Sequence, residues 1–123
     1  MLQLNSKVNI LDNSGATKGR IIKILNKKKV GKVGGLVLVA ISRNIRGSKI
    51  RKGSVQKGVI VRTNTKIKGF HCRVRWFENS IVLVKEKGND FLPVGSRIKG
   101  VLSSELKNKI GCQKILSLAG KTI

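Results

Sequence analysis

Acid is what this sequence has least of. Five Asp and Glu stand against 27 Lys and Arg in 123 residues, a formal net charge of +22 at pH 7. Between Asp12 and Glu78 there is no carboxylate at all. General acid–base chemistry needs two groups of separated proton affinity in one cleft, and a single His with five scattered acids offers few such pairs. Aromatics are also scarce, with Phe70, Trp76, Phe77 and Phe91 the whole supply. That excludes the array of stacking platforms on which single-strand binders hold successive bases. Two cysteines, Cys72 and Cys112, are too few for the disulfide framework of a small secreted domain, and no signal-peptide-like segment precedes the first strand, so a reducing compartment is expected. No apolar run approaches membrane-spanning length, and no window sets Lys and Arg opposite Leu, Phe and Trp at helical spacing, so no membrane partner is expected.

What is present is charge built onto a foldable scaffold. The chain is 40% hydrophobic and 26% charged, which places it outside the composition of disordered segments, and its length suits one domain, residues 1–123. Eighteen of the 27 basic residues lie between Asn13 and Phe77, interleaved with apolar runs such as Ile21-Ile22-Lys23-Ile24-Leu25 and Gly58-Val59-Ile60-Val61. Self-repulsion of that charge costs on the order of ten kcal/mol even when screened, comparable to the roughly 5–15 kcal/mol by which domains are stable. A polyanion that binds the folded form is therefore expected to stabilise it. Cations without stacking residues suit a folded, double-helical target read through backbone and shape, as structured RNA usually is.

The hydrophobic spacing is short and β-like, punctuated by Gly. It predicts strands near Lys7–Leu11, Gly19–Leu25, Leu36–Ser42, Val55–Thr63, Cys72–Phe77 and Ile81–Lys85. Alternation in Cys72-Arg73-Val74-Arg75-Trp76 puts Arg73 and Arg75 on one face, and a hairpin turn over Thr63–His71 would make a basic two-stranded ribbon. Ser103 or Ser104 can cap a short helix at Glu105 that stops at Gly111, and Lys114–Ala119 reads as either strand or helix. The pattern is mainly β, a small closed barrel with appendages.

Each candidate for chemistry has a plainer structural reading. Asp12-Asn13-Ser14-Gly15 reads as a structural turn, in which Asx and Ser side chains bond turn N–H groups and Gly supplies positive φ. His71 and Cys72 are adjacent in a predicted strand and point to opposite faces, so they do not make a thiol–imidazole pair. Both cysteines lack partners at zinc-ligand spacing and read as core, as do Trp76 and Phe77. Gly120-Lys121-Thr122 lacks the earlier Gly and following helix of a phosphate loop, and Lys32-Val33-Gly34-Gly35 reads as a turn. No catalytic residue, metal, cofactor or small-molecule substrate is expected.

Val8-Asn9-Ile10-Leu11-Asp12-Asn13-Ser14-Gly15-Ala16 resembles the opening of the universal large-subunit ribosomal protein fourteen family. The likeness continues through Arg46-Gly47, Lys52-Gly53, Gly58 to Thr63, Arg75-Trp76 to Asn79, Val82-Leu83, Pro93 to Ile98 with Gly100, Glu105-Leu106 and Lys114 to Ala119. It departs at Thr17, where a basic residue is usual, at Ser54, where an acid is common, at Val101, where Pro is common, and at the turn Lys68-Gly69. The resemblance implies a five-stranded β-barrel with a protruding basic β-ribbon and one or more short C-terminal helices. It also implies binding to large-subunit rRNA, a place on the face toward the small subunit with a bridge to small-subunit rRNA, neighbours resembling ribosomal proteins three and nineteen, and a surface that receives a ribosome-silencing factor.

Carried onto this chain, the rRNA-binding set comprises Lys27, Lys28 and Lys29; the loop residues Arg43, Arg46, Lys49, Arg51 and Lys52; Arg62, Lys66, Lys68, Arg73 and Arg75 of the ribbon; and Arg97 and Lys99. The expected function is a structural constituent of the large ribosomal subunit. A free-standing barrel that binds or remodels nucleic acid, such as an RNA chaperone, is the alternative. The +22 charge and a Lys-, Asn- and Ile-rich, A/T-like composition favour a mitochondrial ribosome over a bacterial or plastid one.

Overall fold

The computed structural model describes residues 2–25, 30–64, 67–68, 73–74, 76–109 and 111–122, with backbone alone at 67–68, 73–74 and 108. In chain order its strands are β1 (Lys7–Ile10), β2 (Ala16–Ile24), β3 (Leu36–Asn44), β4 (Val55–Arg62), β5 (Ile67–Lys68), β6 (Arg73–Val74), β7 (Ser80–Lys87), β8 (Asp90–Pro93), β9 (Val101–Leu102) and β10 (Lys121–Thr122). Strands β1-β2-β3-β4-β7 run as antiparallel neighbours, and a parallel pairing of β1 with β7 at Asn9↔Ser80 and Ile10↔Ile81 closes them into a five-stranded barrel. Closure removes the open edges that an exposed sheet would offer.

Two apolar cores explain the two kinds of hydrophobic pattern. Val8, Ile10, Ile21, Val37, Val39, Ile41, Ile60, Ile81 and Leu83 fill the barrel. In β2 these inward residues alternate with outward Lys18 and Arg20, the period of a strand wet on one face. Gly19 is required there because any β-carbon would overlap Val39 Cγ1 and lie 3.2 Å from the Ala40 carbonyl oxygen. Strands β4 and β7 instead show continuous burial over Gly58–Val61 and Ser80–Val84. Their outward residues Val59, Val61, Val82 and Val84 form a second core with Leu102, Leu106, Cys112 and Ile115 of the C-terminal segment. One half of the barrel wall is thus sealed by the chain's own end, and the half formed by β1, β2 and the far end of β3 is left to solvent.

Several expectations are corrected by the structure. The helix expected from Glu105 to Gly111 is a 3₁₀ turn, Ser104–Asn108, and Ser103 makes no side-chain cap bond to it. Among its described side chains Leu106 alone is fully buried, so little packing holds a longer helix. Of the two alternatives at Lys114–Ala119, helix is adopted, as α1 (Gln113–Leu118). The expected turn Thr63–His71 contains strand β5, whose Ile67 and Lys68 pair with Val74 and Arg73. The ribbon strand expected at Cys72–Phe77 is confined to β6 among the described residues. Phe77 is not core: its ring is fully exposed, at 103% of the reference area. Cys112 is buried and its thiol is free. His71 and Cys72 lie outside the described residues.

Candidate nucleic-acid interface

The turn after β1 organises two basic segments at once. Asp12 is 4% exposed, and its Oδ1 accepts the Ser14 N–H at 3.2 Å and the Ser14 hydroxyl at 2.5 Å. Its Oδ2 accepts the buried Leu83 N–H of β7 at 3.2 Å, which supplies a partner to the ladder where β1 peels away. Burial pushes the Asp12 carboxyl above its ordinary value, and the bonds from Ser14 and Leu83 pull the other way. Asn13 reaches the C-terminal segment: its Nδ2 donates to Ser96 Oγ at 2.9 Å, and its Oδ1 accepts the Arg97 N–H at 3.1 Å. The Lys99 N–H bonds Leu11 O at 2.8 Å. Arg97 and Lys99 therefore stand on backbone pinned to this turn, with their side chains exposed. On its other side Gly15, at φ +107°, packs where only a missing β-carbon admits Ser48, and its carbonyl accepts the Ile45 N–H at 2.6 Å.

That second contact fixes the loop from residue 45 to 54. Ile50 is buried and anchors it, while Asn44 Nδ2 and Ser48 Oγ both donate to Ile50 O at 2.8 Å. Gly47 and Gly53, at φ +81° and +85° with open space around them, are needed for the backbone angle alone. The loop closes with Ser54 Oγ on Arg51 O at 2.6 Å and the Gly53 N–H on Ile41 O at 2.7 Å. Arg43, Arg46, Lys49, Arg51 and Lys52 all project to solvent from this framework. None of the five makes an ion pair among the described residues. A cationic loop held by its own hydrogen bonds loses little entropy on meeting a phosphate backbone.

Arg62 is placed differently. Its Nε donates to Val101 O at 2.7 Å, its Nη1 to Glu78 Oε1 at 3.3 Å, and its guanidinium lies 4.8 Å from the Trp76 ring centroid. Nη2 sits against Gly100, at φ +77°. These contacts tie β4, the start of β7 and β9 together beneath a half-buried Trp76. Of the ribbon set, Lys68 and Arg73 are described as a backbone pair. Lys66 and Arg75, with Lys27, Lys28 and Lys29, lie outside the described residues.

A second cationic feature was not singled out by sequence. On the uncovered wall, Lys7 pairs across β1–β2 with Arg20, Asn9 with Lys18, and Lys18 across β2–β3 with Arg43. Like charges directly opposite one another destabilise a sheet, so the isolated barrel carries two unfavourable pairs on one face. The four side chains line a cleft of about 530 Å³ together with Phe77 and Glu78. Glu78 is engaged from within the protein: it accepts from Asn9 Nδ2, from Arg62 Nη1 at 3.3 Å and from Ser80 Oγ at 3.2 Å. The available signal was the period-two placement of Lys18 and Arg20 opposite Gly19 and Ile21. It marks an outward face but not which neighbours share it.

Among the described residues, no group of three or more His, Cys, Asp or Glu could hold one metal ion, and no helix is long and apolar enough to cross a membrane. The arrangement is an exposed cationic surface, braced by hydrogen bonds, on a closed barrel. The family model for ribosomal protein L14p/L23e matches residues 1–123, the full sequence. The chain belongs to the ribosomal protein L14p/L23e family, whose members are structural, rRNA-binding proteins of the large ribosomal subunit.

Proposed function

We propose that this protein works as a single domain that clamps large-subunit rRNA helices by their phosphates and contributes to the surface facing the small subunit, including a bridge to small-subunit rRNA. The observation that carries this is the loop from residue 45 to 54: with Arg43 it holds out five cations unopposed by acid, on backbone braced against the Asp12–Gly15 turn. Counterion release from such a loop supplies affinity, and its internal bonds supply register. Lys27–Lys29, the ribbon residues Lys66, Lys68, Arg73 and Arg75, and Arg97 with Lys99 extend the same phosphate-binding role. Arg62 serves it indirectly, by holding β4 to β9. The C-terminal segment, pinned through Asn13, offers Arg97 and Lys99 to rRNA or to neighbours resembling ribosomal proteins three and nineteen, and an exposed face of the protein receives a silencing factor.

The compartment we infer is the mitochondrial matrix, on the +22 charge and the A/T-like composition. Sedimentation of whole lysate and purified organelles through sucrose at rising salt tests both readings. Co-migration with large subunits through a high-salt wash, enriched in the mitochondrial fraction, is the expected result. Release at modest salt with affinity for free RNA retained would favour the free-standing binder, and enrichment in another compartment would overturn the mitochondrial assignment.

A further inference from the structure

Phe77 is the one fully exposed aromatic side chain among the described residues, and it stands at the rim of the cleft lined by Lys7, Lys18, Arg20 and Arg43. A ring held entirely in water at a concave, cationic site contributes nothing to the barrel. Single exposed apolar side chains are common on proteins, and this one is set apart by its place at that site, where a ligand entering the cleft would cover it. Charge selects the ligand: four cations face the cleft, and its one carboxylate among the described residues, Glu78, is held by Asn9, Arg62 and Ser80. A single ring is too little apolar surface for a protein anchor pocket, which is a cluster of desolvated contacts. It is enough for one base, because every base has a π-face. The volume, about 530 Å³, falls within the roughly 300–1,000 Å³ of clefts that enclose small organic groups. A double helix would meet the cations but offers no free base to the ring.

We propose that this cleft captures an unpaired nucleotide of rRNA, its base stacked on Phe77 and its flanking phosphates on Lys18, Arg43, Lys7 and Arg20. The site rests on the rRNA-binding role and adds to it a single-stranded subsite, which adjoins the loop that reads helical backbone and shares Arg43 with it. The two kinds of contact differ in salt response. Stacking adds affinity without changing the salt slope, whereas each phosphate contact adds to the slope.

The test uses the full chain and transcribed large-subunit rRNA, with filter binding across a salt series. Phe77→Ala and Phe77→Leu are expected to weaken binding about 5- to 150-fold with the salt slope unchanged, the range expected when one base–aromatic stack is removed. Phe77→Trp, which still stacks, is expected to retain wild-type affinity. Because the ring is fully exposed, these variants should fold normally, checked by circular dichroism. Wild-type affinity in Phe77→Leu would overturn the subsite, since an apolar contact would then suffice. In large subunits assembled in cells, a benzophenone side chain at position 77 should crosslink to one unpaired nucleotide, mapped as a reverse-transcriptase stop. An adduct to a protein or to a paired helix, or none at all, would overturn the subsite while leaving rRNA binding intact. Failure of the wild-type chain to enter large subunits would overturn both.

Discussion

Replacing Lys18 with Glu should make the isolated protein more stable and at the same time a poorer ligand for RNA. Lys18 lies directly across from Arg43 on the uncovered wall, with Lys7 and Arg20 paired two residues along. Two exposed cations about 6–7 Å apart repel by roughly 0.6 kcal/mol in bulk water, cut to about half or less at physiological salt. Reversing one charge converts that repulsion into attraction, a gain of roughly 0.5 kcal/mol from Arg43 and up to about 1 kcal/mol with Lys7 and Arg20, within the range for cross-strand pairs. For a chain of this size the melting temperature should rise by about 2–5 °C. At 1 M salt, where the Debye length is about 3 Å, the gain should vanish. Binding to large-subunit rRNA should weaken, and its salt slope should fall by about 0.7–0.9, the increment that one phosphate neutralised by Lys18 supplies. Calorimetry at two salt concentrations and a binding salt series read both effects. Destabilisation at low salt, or a gain that persists at 1 M, would refute the electrostatic account of this face. Unchanged RNA affinity would remove Lys18 from the binding surface.

Asn44→Ala removes one of the two donors to Ile50 O that brace the loop without changing its charge, so rRNA affinity should fall several-fold at an unchanged salt slope in the same binding assay. Gly100→Ala sets a β-carbon at φ +77° against Arg62 Nη2 and should cost about 1–3 kcal/mol in urea unfolding, with a shift in the fluorescence of the single tryptophan, over which Arg62 lies. Asp12 is held above its ordinary value of 3.8, so the folded state keeps its proton to higher pH than the unfolded chain. Its contribution is full below about 3.8 and declines as pH rises through the raised value. Urea unfolding should accordingly show the stability difference between wild type and Asp12→Asn, wild type minus variant, decreasing from acid to neutral pH. Cys112 is buried with its thiol pushed up by desolvation, against a lesser pull from Lys109. In a Cys72→Ser background it should react with a disulfide reagent only at the rate of global opening.

The barrel strands were legible because their residues repeat at a strand's period or fill a strand's length without interruption. Alternation in β2 and the unbroken run Gly58-Val59-Ile60-Val61 each follow from what covers the outer wall. Strand β8 was harder to read, since Asp90-Phe91-Leu92-Pro93 is weakly strand-forming. Its pairing rests on the two-residue connection Gly88-Asn89, a readable hairpin signal, with Gly88 at φ +61°. Strands β9 and β10 pair two residues each across a long separation, and periodicity carries no information at that length. Helix α1 buries only Ile115, so it presents no amphipathic stripe to detect. In the candidate site, residue type announced cations but not their employment. Arg62 and Arg43 look alike in sequence. One is engaged by Val101, Glu78 and Trp76, and the other opens onto the solvent beside Lys18.

That difference follows from how the barrel divides its outer wall. The C-terminal segment must cover β4 and β7, because their outward residues are Val59, Val61, Val82 and Val84. Covering them brings Val101 and Gly100 over Arg62 and carries Arg97 and Lys99 to the Asp12–Gly15 turn. The same turn braces the loop through Gly15 and Ile45. Phosphate-binding segments far apart in sequence are therefore fixed relative to one another by one buried carboxylate and one asparagine, not by contact between their own side chains, which repel. The uncovered half has no such shield, and its like-charge pairs Lys7–Arg20 and Lys18–Arg43 stay unfavourable until an anion lies between them. Stability of the free protein and affinity for RNA thus draw on the same charges with opposite sign. Mutations that relieve the first should weaken the second wherever the cation faces RNA, and only there.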